Sequence, residues 1–363
     1  MLLAEQDLWE TAQMVDNNII NVSIIIPFKN AEKTIDRCLC SIFEMAYQSY
    51  EIILVENNST DNSRSIAKSL RKKFGQQLSS KIISETKPGP AAARNTGARV
   101  AQGRYLAFTD ADCVADKNWL TDSVKVFDDD SIAAVAGNIE GFKSSNLVEC
   151  FHGLFTLQGL KVSKTFESFT LDSGGFSTTN LIVRKDVFDQ IRGFDEDLLR
   201  FGEDHDLCAR IYRAGYKIKS IPGGTIYHIH RREISSTWEQ SYYFGSGHGT
   251  LLKRCFDRYL LIGAGPLTVR SAQVPIRAWI DFDSADKKMA LLILLSLFYW
   301  PLSVFIILYV MYLSWLVIRK SKSANIKIDI IQCPIIAALL LFKSFAMSAG
   351  RIQSGIKNRV ICF

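Results

Sequence analysis

Two carboxylates, two positions apart, close an apolar run in Arg104-Tyr-Leu-Ala-Phe-Thr-Asp110-Ala-Asp112-Cys113. A strand alternates its faces, so Asp110 and Asp112 are expected on one side where the strand runs out. At the carboxyl edge of a parallel α/β sheet, that is where ligands sit. Carboxylates this close repel one another unless a cation lies with them. An all-oxygen site suits Mg²⁺ or Mn²⁺, which commonly take phosphate oxygens as well. The competing reading is an Asp-rich turn that closes the strand. A second acidic run, Gly202-Glu203-Asp204-His205-Asp206-Leu, reads as a helix amino terminus. The macrodipole favours acids there, but capping needs only one, so Glu203 and Asp204 can take different tasks. Thr225-Ile-Tyr-His228-Ile-His230 reads as a short strand, whose histidines are either packed residues or ligands of the same cation.

The elements around these residues alternate. Asn21-Val-Ser-Ile-Ile-Ile-Pro27 and Glu51-Ile-Ile-Leu-Val55 are continuous apolar runs, expected as buried parallel strands. A helical pattern with Ile35, Leu39 and Ile42 on one face lies between them. Glu56-Asn-Asn-Ser-Thr-Asp61-Asn-Ser63 supplies turn and cap residues for a helix stopping at Gly75. Lys81-Ile-Ile-Ser84 is a third strand, Pro88 to Gly97 a loop feeding a small-residue helix, and the run ending in the Asp pair a fourth strand. This rhythm predicts an open α/β sheet with right-handed crossovers. A dinucleotide-binding fingerprint is missing, because no glycine lies between Pro27 and Ile42. The chain also lacks G-x-x-x-x-G-K-[ST], so a phosphate would be gripped through a metal. Further on, Gly174-Gly-Phe-Ser-Thr-Thr-Asn180-Leu-Ile-Val-Arg184 leads a glycine pair into another strand.

Charge divides the chain. From Lys287 to the end, ten Lys and Arg face one acid, Asp329, leaving 33 basic against 36 acidic residues in the remainder. The body therefore has no electrostatic footprint for nucleic acid, and the basic tail reads as an anchor resting on anionic membrane lipid. Met289 to Ile318 is 30 residues without a charge, about 45 Å as one helix against a hydrocarbon core of roughly 30 Å. Pro301 near its middle predicts a kinked, tilted helix or a re-entrant hairpin. Ile330 to Gly350, interrupted by Pro334 and Lys343, is the weaker membrane candidate. Basic clusters at Lys287-Lys288 and Arg319-Lys320-Ser-Lys322 flank the first segment; a hairpin keeps both inside, a single crossing does not. The amino terminus runs into Glu5, Asp7 and Glu10 and does not read as a secretory signal, so the body is expected at the cytoplasmic face of the cell membrane. Eight cysteines without a C-x-x-C read as small hydrophobes in a reducing compartment.

In this order and spacing, Ser-Ile-Ile-Ile-Pro27-Phe-Lys29-Asn30, Leu-Val-Glu56-Asn57-Asn-Ser-Thr-Asp61, Ala-Arg94-Asn95-Thr-Gly97, Phe-Thr-Asp110-Ala-Asp112 and Gly-Phe-Asp195 followed by Gly-Glu203-Asp204-His-Asp206 resemble family 2 glycosyltransferases. The resemblance covers about residues 20 to 240. It implies a GT-A fold: a Rossmann-like, mostly parallel open sheet, here with carboxyl-terminal hydrophobic membrane segments. The domains expected are an extension over 1–20, the GT-A domain over 21–240, a membrane-proximal linker over 241–286 and the basic anchoring tail over 287–363. By the same resemblance, Pro27, Lys29, Glu56, Asn57, Arg94 and Asp110 would contact the donor nucleotide. Asp112, with Asp110 and His228, would hold Mn²⁺ or Mg²⁺. Asp204 would be the catalytic base, with Glu203 beside it. Gly175, Thr179, Asn180 and Trp238 are the acceptor-side candidates, although Trp238 also fits an interfacial aromatic belt with Tyr242, Tyr243 and Phe244. The family usually carries Asp where Glu56 stands. Processive synthases carry Q-x-x-R-W, whereas Gln240 is followed here by Ser-Tyr-Tyr-Phe, which favours transfer of a single sugar.

The function expected is an inverting, metal-dependent transfer from a nucleotide-diphosphate sugar to a glycan or lipid-linked sugar acceptor. No covalent intermediate is needed, so an activated Ser or Cys is not required. One rival is a polyprenyl-phosphate sugar synthase, whose acceptor is already ionised and needs no base. Another is a membrane-tethered protein that binds sugar nucleotides without turnover. A transporter component is disfavoured, because the first apolar segment holds no charged residue.

Overall fold

The computed structural model describes residues 20–74, 79–170, 173–198, 201–256, 259–263, 269–271, 275–324 and 326–363, and the expected amino-terminal extension lies outside them up to residue 19. The strands in chain order are β1 (Val22–Phe28), β2 (Tyr50–Glu56), β3 (Ser80–Ser84), β4 (Tyr105–Phe108), β5 (Cys113–Ala115), β6 (Ile132–Ala136), β7 (Ile139–Gly141), β8 (Lys164–Phe166), β9 (Leu181–Arg184), β10 (Lys217–Ser220) and β11 (Ile226–His228). Eight of them form one sheet in the order β3-β2-β1-β4-β9-β6-β10-β8. β1 pairs in parallel with β2 and β4, as two apolar runs buried on both faces require. β9 runs antiparallel to both β4 and β6, so the sheet is mostly parallel rather than wholly so.

Residues alternate between two cores. Ile24 and Ile26 point toward helix α1 (Ile35–Phe43), and Ile25 points with Ile53 and Val55 toward helix α3 (Pro90–Arg99) on the other face. Helix α2 (Ser63–Phe74) covers the first face beside α1. The small residues Ala91, Ala93 and Ala98 let α3 lie close to the sheet, and Gly97 abuts Ile25 and Val55. A second, three-stranded sheet sets β11 between β5 and β7. Helix α4 (Trp119–Val124) follows β5 on the α1 side, and α5 (Leu147–Phe155) follows β7. Helix α6 (Lys185–Gln190) follows β9, and α7 (Glu203–Arg213) precedes β10 and packs into the α3 side of the core.

Beyond the sheet, α8 (Ile234–Cys255) is a single helix of 22 residues, so the boundary expected at 240 falls inside it. The described residues between 241 and 286 hold much of α8 and the strands β12 (Tyr259–Gly263), β13 (Val269–Ser271) and β14 (Arg277–Asp281). The tail contains α9 (Ala285–Phe298), α10 (Ser303–Ser323), α11 (Cys333–Asn358) and the short β15 (Ile361–Cys362), which adds to β14. The uncharged run from 289 to 318 is two helices rather than one. Tyr299 is extended and Pro301, without an N–H, can only begin the second helix. The weaker candidate, Ile330 onward, forms the longest helix among the described residues, and both Trp300–Ser323 and Ile330–Asn358 are apolar enough to cross a membrane by length and composition. α11 nevertheless lies along α8, backbone against backbone. A Cβ at Gly350 would collide with the carbonyl oxygen of Tyr242, and one at Gly245 with that of Met347. The eight cysteines are unbridged.

Candidate active site

The Asp pair does not continue β4. The strand ends at Phe108, a turn follows, and the Cys113 N–H bonds the Asp110 carbonyl at 3.1 Å before β5 begins. Alternation along a strand therefore does not place the two side chains, and they part. Asp110 accepts from Arg94 Nη2 at 2.7 Å and from the Thr179 hydroxyl at 3.1 Å, one bond on each oxygen. Asp112 is carried toward β11 by the pairing of β5 with β11, in which Cys113 faces His228 and the Ile229 N–H bonds the Asp112 carbonyl at 2.8 Å. His228 Nε2 lies 3.5 Å from Asp112 Oδ1. That exceeds an ordinary hydrogen bond of about 2.7–3.2 Å and is within what two ligands of one ion span.

Asp112, Cys113 and His228 offer ligand atoms within 4.8 Å of one another. A carboxylate oxygen and an imidazole nitrogen suit Mn²⁺. The Cys113 thiol is pushed well above its ordinary value by burial, then by the charges of Asp112 and Asp110. A thiol is a soft ligand, so Asp112 and His228 are the two of the three that suit a hard cation such as Mn²⁺. Asp110, expected to share the cation, is held by Arg94 and Thr179, with one bond on each oxygen.

Arg94 is the hub of the site. It is 4 % exposed, and its Nη1 donates to Glu203 Oε1 at 2.9 Å while Nη2 holds Asp110. Both ends of the fork are engaged by carboxylates, Glu203 at Nη1 and Asp110 at Nη2. Burial, and next the charge of Asp204, push the Glu203 carboxyl above the carboxylate range, against the pull of Arg94. Asp204 goes the other way. Burial alone would raise it, but His205 overcomes this and holds it low. The His205 N–H and ring Nδ1 both meet Asp204 Oδ1, at 2.8 and 2.9 Å. The ring is in turn raised by Asp204, against its own burial. α7 begins here on Gly202 at φ 101°, where a side chain is strained, and presents its positive end to both acids.

The other candidates separate into those at the site and those that build it. Thr179 orients Asp110. Gly175 sits against His205 so closely that a Cβ would overlap the ring, and both line a cavity of about 540 Å³ walled by Ile139, Leu157, Phe166 and Phe176. Asn180 also borders it, but its amide is fully engaged. It accepts from Trp119 Nε1 at 2.8 Å and donates to the carbonyls of Asn138 and Gly224 at 2.8 and 2.7 Å. It ties β9 to α4 and the turn before β11 rather than facing an acceptor. Asn57 likewise clamps a loop, donating to Glu85 and Lys87 carbonyls and accepting from the Gly89 N–H at 3.0 Å. Glu56 is buried and accepts from the Ser59 N–H at 2.5 Å, shaping the turn after β2. Pro27 is half-buried in β1, and Lys29 is exposed just beyond it. Trp238 packs on Phe342 and Phe345 of α11 at ring distances of 5.2 and 6.0 Å. Sequence reasoning misses His205 and Gly202. The signal for His205 is its place between two acids, which capping alone can explain.

An open α/β sheet with paired acids beyond its strand ends defines a GT-A-like protein. Residues 23–192 match glycosyl transferase family 2, and 160–232 match the N-terminal domain of galactosyltransferase. The likeness of residues 23–192 to glycosyl transferase family 2 agrees with the resemblance read from the sequence. It is 30% identical over 200 residues to Glycosyltransferase AglE of Haloferax volcanii, covering 54% of this chain and 63% of that one. It is 32% identical over 130 residues to the UDP-Glc:alpha-D-GlcNAc-diphosphoundecaprenol beta-1,3-glucosyltransferase WfgD of Escherichia coli, covering 36% of this chain and 50% of that one. The chain thus spans about half to two-thirds of these relatives. Among solved structures, the mannosyltransferase PcManGT of Pyrobaculum calidifontis, in complex with GDP-Man and Mn²⁺, superposes with a TM-score of 0.52 at 17% identity over 93% of this chain and 87% of that one, a likeness of fold.

Proposed function

We propose that this chain is an inverting glycosyltransferase that moves one sugar from a nucleotide-diphosphate donor to a hydroxyl of a lipid-linked sugar or other glycan, at the cytoplasmic face of a membrane. The observation that carries the reading is the opposite treatment of two neighbouring acids. Glu203 is locked to Arg94, while Asp204, beside it at the same helix start, is kept ionised by His205. A base that stays ionised near neutral pH is what removal of an acceptor proton needs, a contribution of typically 10²- to 10⁴-fold. The cavity that His205 and Gly175 line would seat the acceptor beside His205, which bonds Asp204.

Asp112 and His228 would hold Mn²⁺ or Mg²⁺, and such a cation neutralises charge on the departing diphosphate. Arg94 and Thr179 fix the two oxygens of Asp110 beside them. Glu56, Lys29 and Pro27 stand at the ends of the first two strands, where the nucleotide would lie. The AglE and WfgD likenesses favour a glycosyl transfer, and the printed substrate of WfgD is a lipid diphosphate sugar. The second reading, transfer to a polyprenyl phosphate, needs no base. Transfer by Asp204→Asn separates them, because a loss of more than about 10²-fold fits a hydroxyl acceptor and a loss below tenfold refutes the base.

A further inference from the structure

The tail holds a pair of helices whose ends are fastened and whose middle is not. Asp286, at the start of α9, bonds the Ser344 hydroxyl of α11 at 2.6 Å, and Lys287 reaches Ser348 at 3.2 Å. The far end of α10 is equally fixed. Leu313 and Val317 are buried against Val148, Phe151, Cys333 and Ile336, and Lys320 donates to the Leu154 carbonyl at 3.3 Å. Between these anchors, α9 buries no residue at all. Tyr309 bonds the Ala285 carbonyl at 3.3 Å, so α10 returns toward the start of α9. The chain leaves the body at 286, turns at Tyr299-Trp300-Pro301, and comes back by 313.

The exposed part is apolar on every side. Leu291, Leu294, Leu297 and Phe298 on α9, Trp300 at the turn, and Phe305, Ile307, Leu308 and Met311 on α10 are between 48 and 84 % exposed. Within the first arm Ser296 donates to the Leu292 carbonyl at 2.7 Å, so its hydroxyl is satisfied inside its own helix, as a lipid environment demands. Ser303 is exposed just after the turn. At the base, Tyr312 stacks on Trp315 at 6.0 Å and the Arg319 guanidinium lies 5.6 Å from the Trp315 ring. Lys287 and Lys288 precede the first arm, and Arg319, Lys320 and Lys322 follow the second. An aromatic and basic collar of this kind suits the headgroup level of an anionic leaflet.

Length decides how far the hairpin goes. Met289–Phe298 and Ser303–Tyr312 are ten residues each, so each free arm is about 15 Å long at 1.5 Å per residue, half a hydrocarbon core of roughly 30 Å. We propose that α9 and α10 enter one leaflet as a re-entrant hairpin, and that neither they nor α11 crosses the bilayer. α11 passes for a span by composition, but it is bound to the catalytic body along its length. Lys343 donates to the Phe155 carbonyl, Arg351 to Asp281 at 2.9 Å, and Asn358 to the Thr250 hydroxyl at 3.3 Å. Of its exposed large apolar residues Ile335, Phe345, Ile352 and Ile356, the last three recur at spacings of seven and four, one stripe of a helix lying in the interface plane.

The test uses the full chain added to preformed, sealed vesicles of phosphatidylethanolamine and phosphatidylglycerol. Lys288→Cys, Trp300→Cys and Lys322→Cys are each exposed to a membrane-impermeant maleimide outside the vesicles, or trapped within them, and labelled peptides are identified by mass. The expected result is labelling at positions 288 and 322 from outside, and at position 300 from neither side until detergent is added. Labelling of position 300 from the lumen, of 288 and 322 from opposite sides, or of position 300 from outside would each overturn the hairpin. Failure of the wild-type chain to float with the vesicles would do so too. None of these readouts depends on the chemistry of the active site.

Discussion

Replacing Arg94 by methionine tests whether it is the hub that holds the two acids. The guanidinium is nearly buried and makes charge-assisted bonds of 2.7 and 2.9 Å to Asp110 and Glu203. Bonds to charged groups contribute about 1.5–3 kcal/mol each, and removing one partner of a buried pair costs about 3–5 kcal/mol. Two features place Arg94→Met at the lower end. Glu203 is already raised toward its neutral form, and Asp110 keeps its Thr179 bond with its side chain 27% exposed. We therefore expect a loss of about 3 kcal/mol, equivalent to a melting point lower by roughly 6–12 °C for a domain of this size. Thermal unfolding of the detergent-solubilised chain, followed by tryptophan fluorescence, measures it. Arg94→Met/Glu203→Gln should recover part of the loss by removing one stranded carboxylate, whereas Arg94→Lys should not, because an ammonium cannot bridge both. A shift of less than about 2 °C in Arg94→Met would refute the bridging role.

Other outcomes follow from the same geometry. His205→Asn removes the cation that holds Asp204 low, leaving burial to raise it. The acid limb of kcat/KM should then move to higher pH, and an unmoved limb would mean that His205 does not tune the base. The same depressed Asp204 carboxyl contributes stability present above its unfolded value and lost as pH falls through its lower folded value. Acid unfolding should therefore begin at higher pH in His205→Asn. Asn180→Leu strands the Trp119 N–H and two carbonyls, so it should cost about 2–5 kcal/mol of stability. KM for the acceptor should change little in the fraction that folds, and a selective KM effect would restore Asn180 to the acceptor side. Gly350→Leu should separate α8 from α11 and lower stability by about 1–3 kcal/mol or more, seen as earlier thermal unfolding.

Much of this is legible in the residues. The buried runs at Val22–Phe28 and Tyr50–Glu56 specify parallel strands, and Ile35, Leu39 and Ile42 specify the face of α1, because period and burial are local properties. The acids are found for the same reason, as short patterns beside strand and helix ends. Their partners are not, since Arg94 meets Glu203 across 109 positions and Asp110 meets Thr179 across 69. Nor does the strand period apply to Asp110 and Asp112, because the chain turns between them. Asn57 and Asn180 are polar residues near the site whose amides are absorbed by loop backbone, and nothing in their own neighbourhood distinguishes such a clamp from a ligand contact. The hydrophobic tail is visible by composition, but its division at Tyr299 and the attachment of α11 to α8 depend on small residues facing one another, Gly245 and Gly350 among them.

The central claim is a metal-dependent site for a nucleotide sugar built on Asp112 and His228. Equilibrium binding of UDP-, GDP- and dTDP-sugars to the full chain in Mn²⁺, with and without EDTA, tests it most directly. We expect one nucleotide class to bind, with binding lost in EDTA and in Asp112→Asn and weakened in His228→Ala. Binding of no class, or binding unchanged by EDTA and by Asp112→Asn, would contradict it.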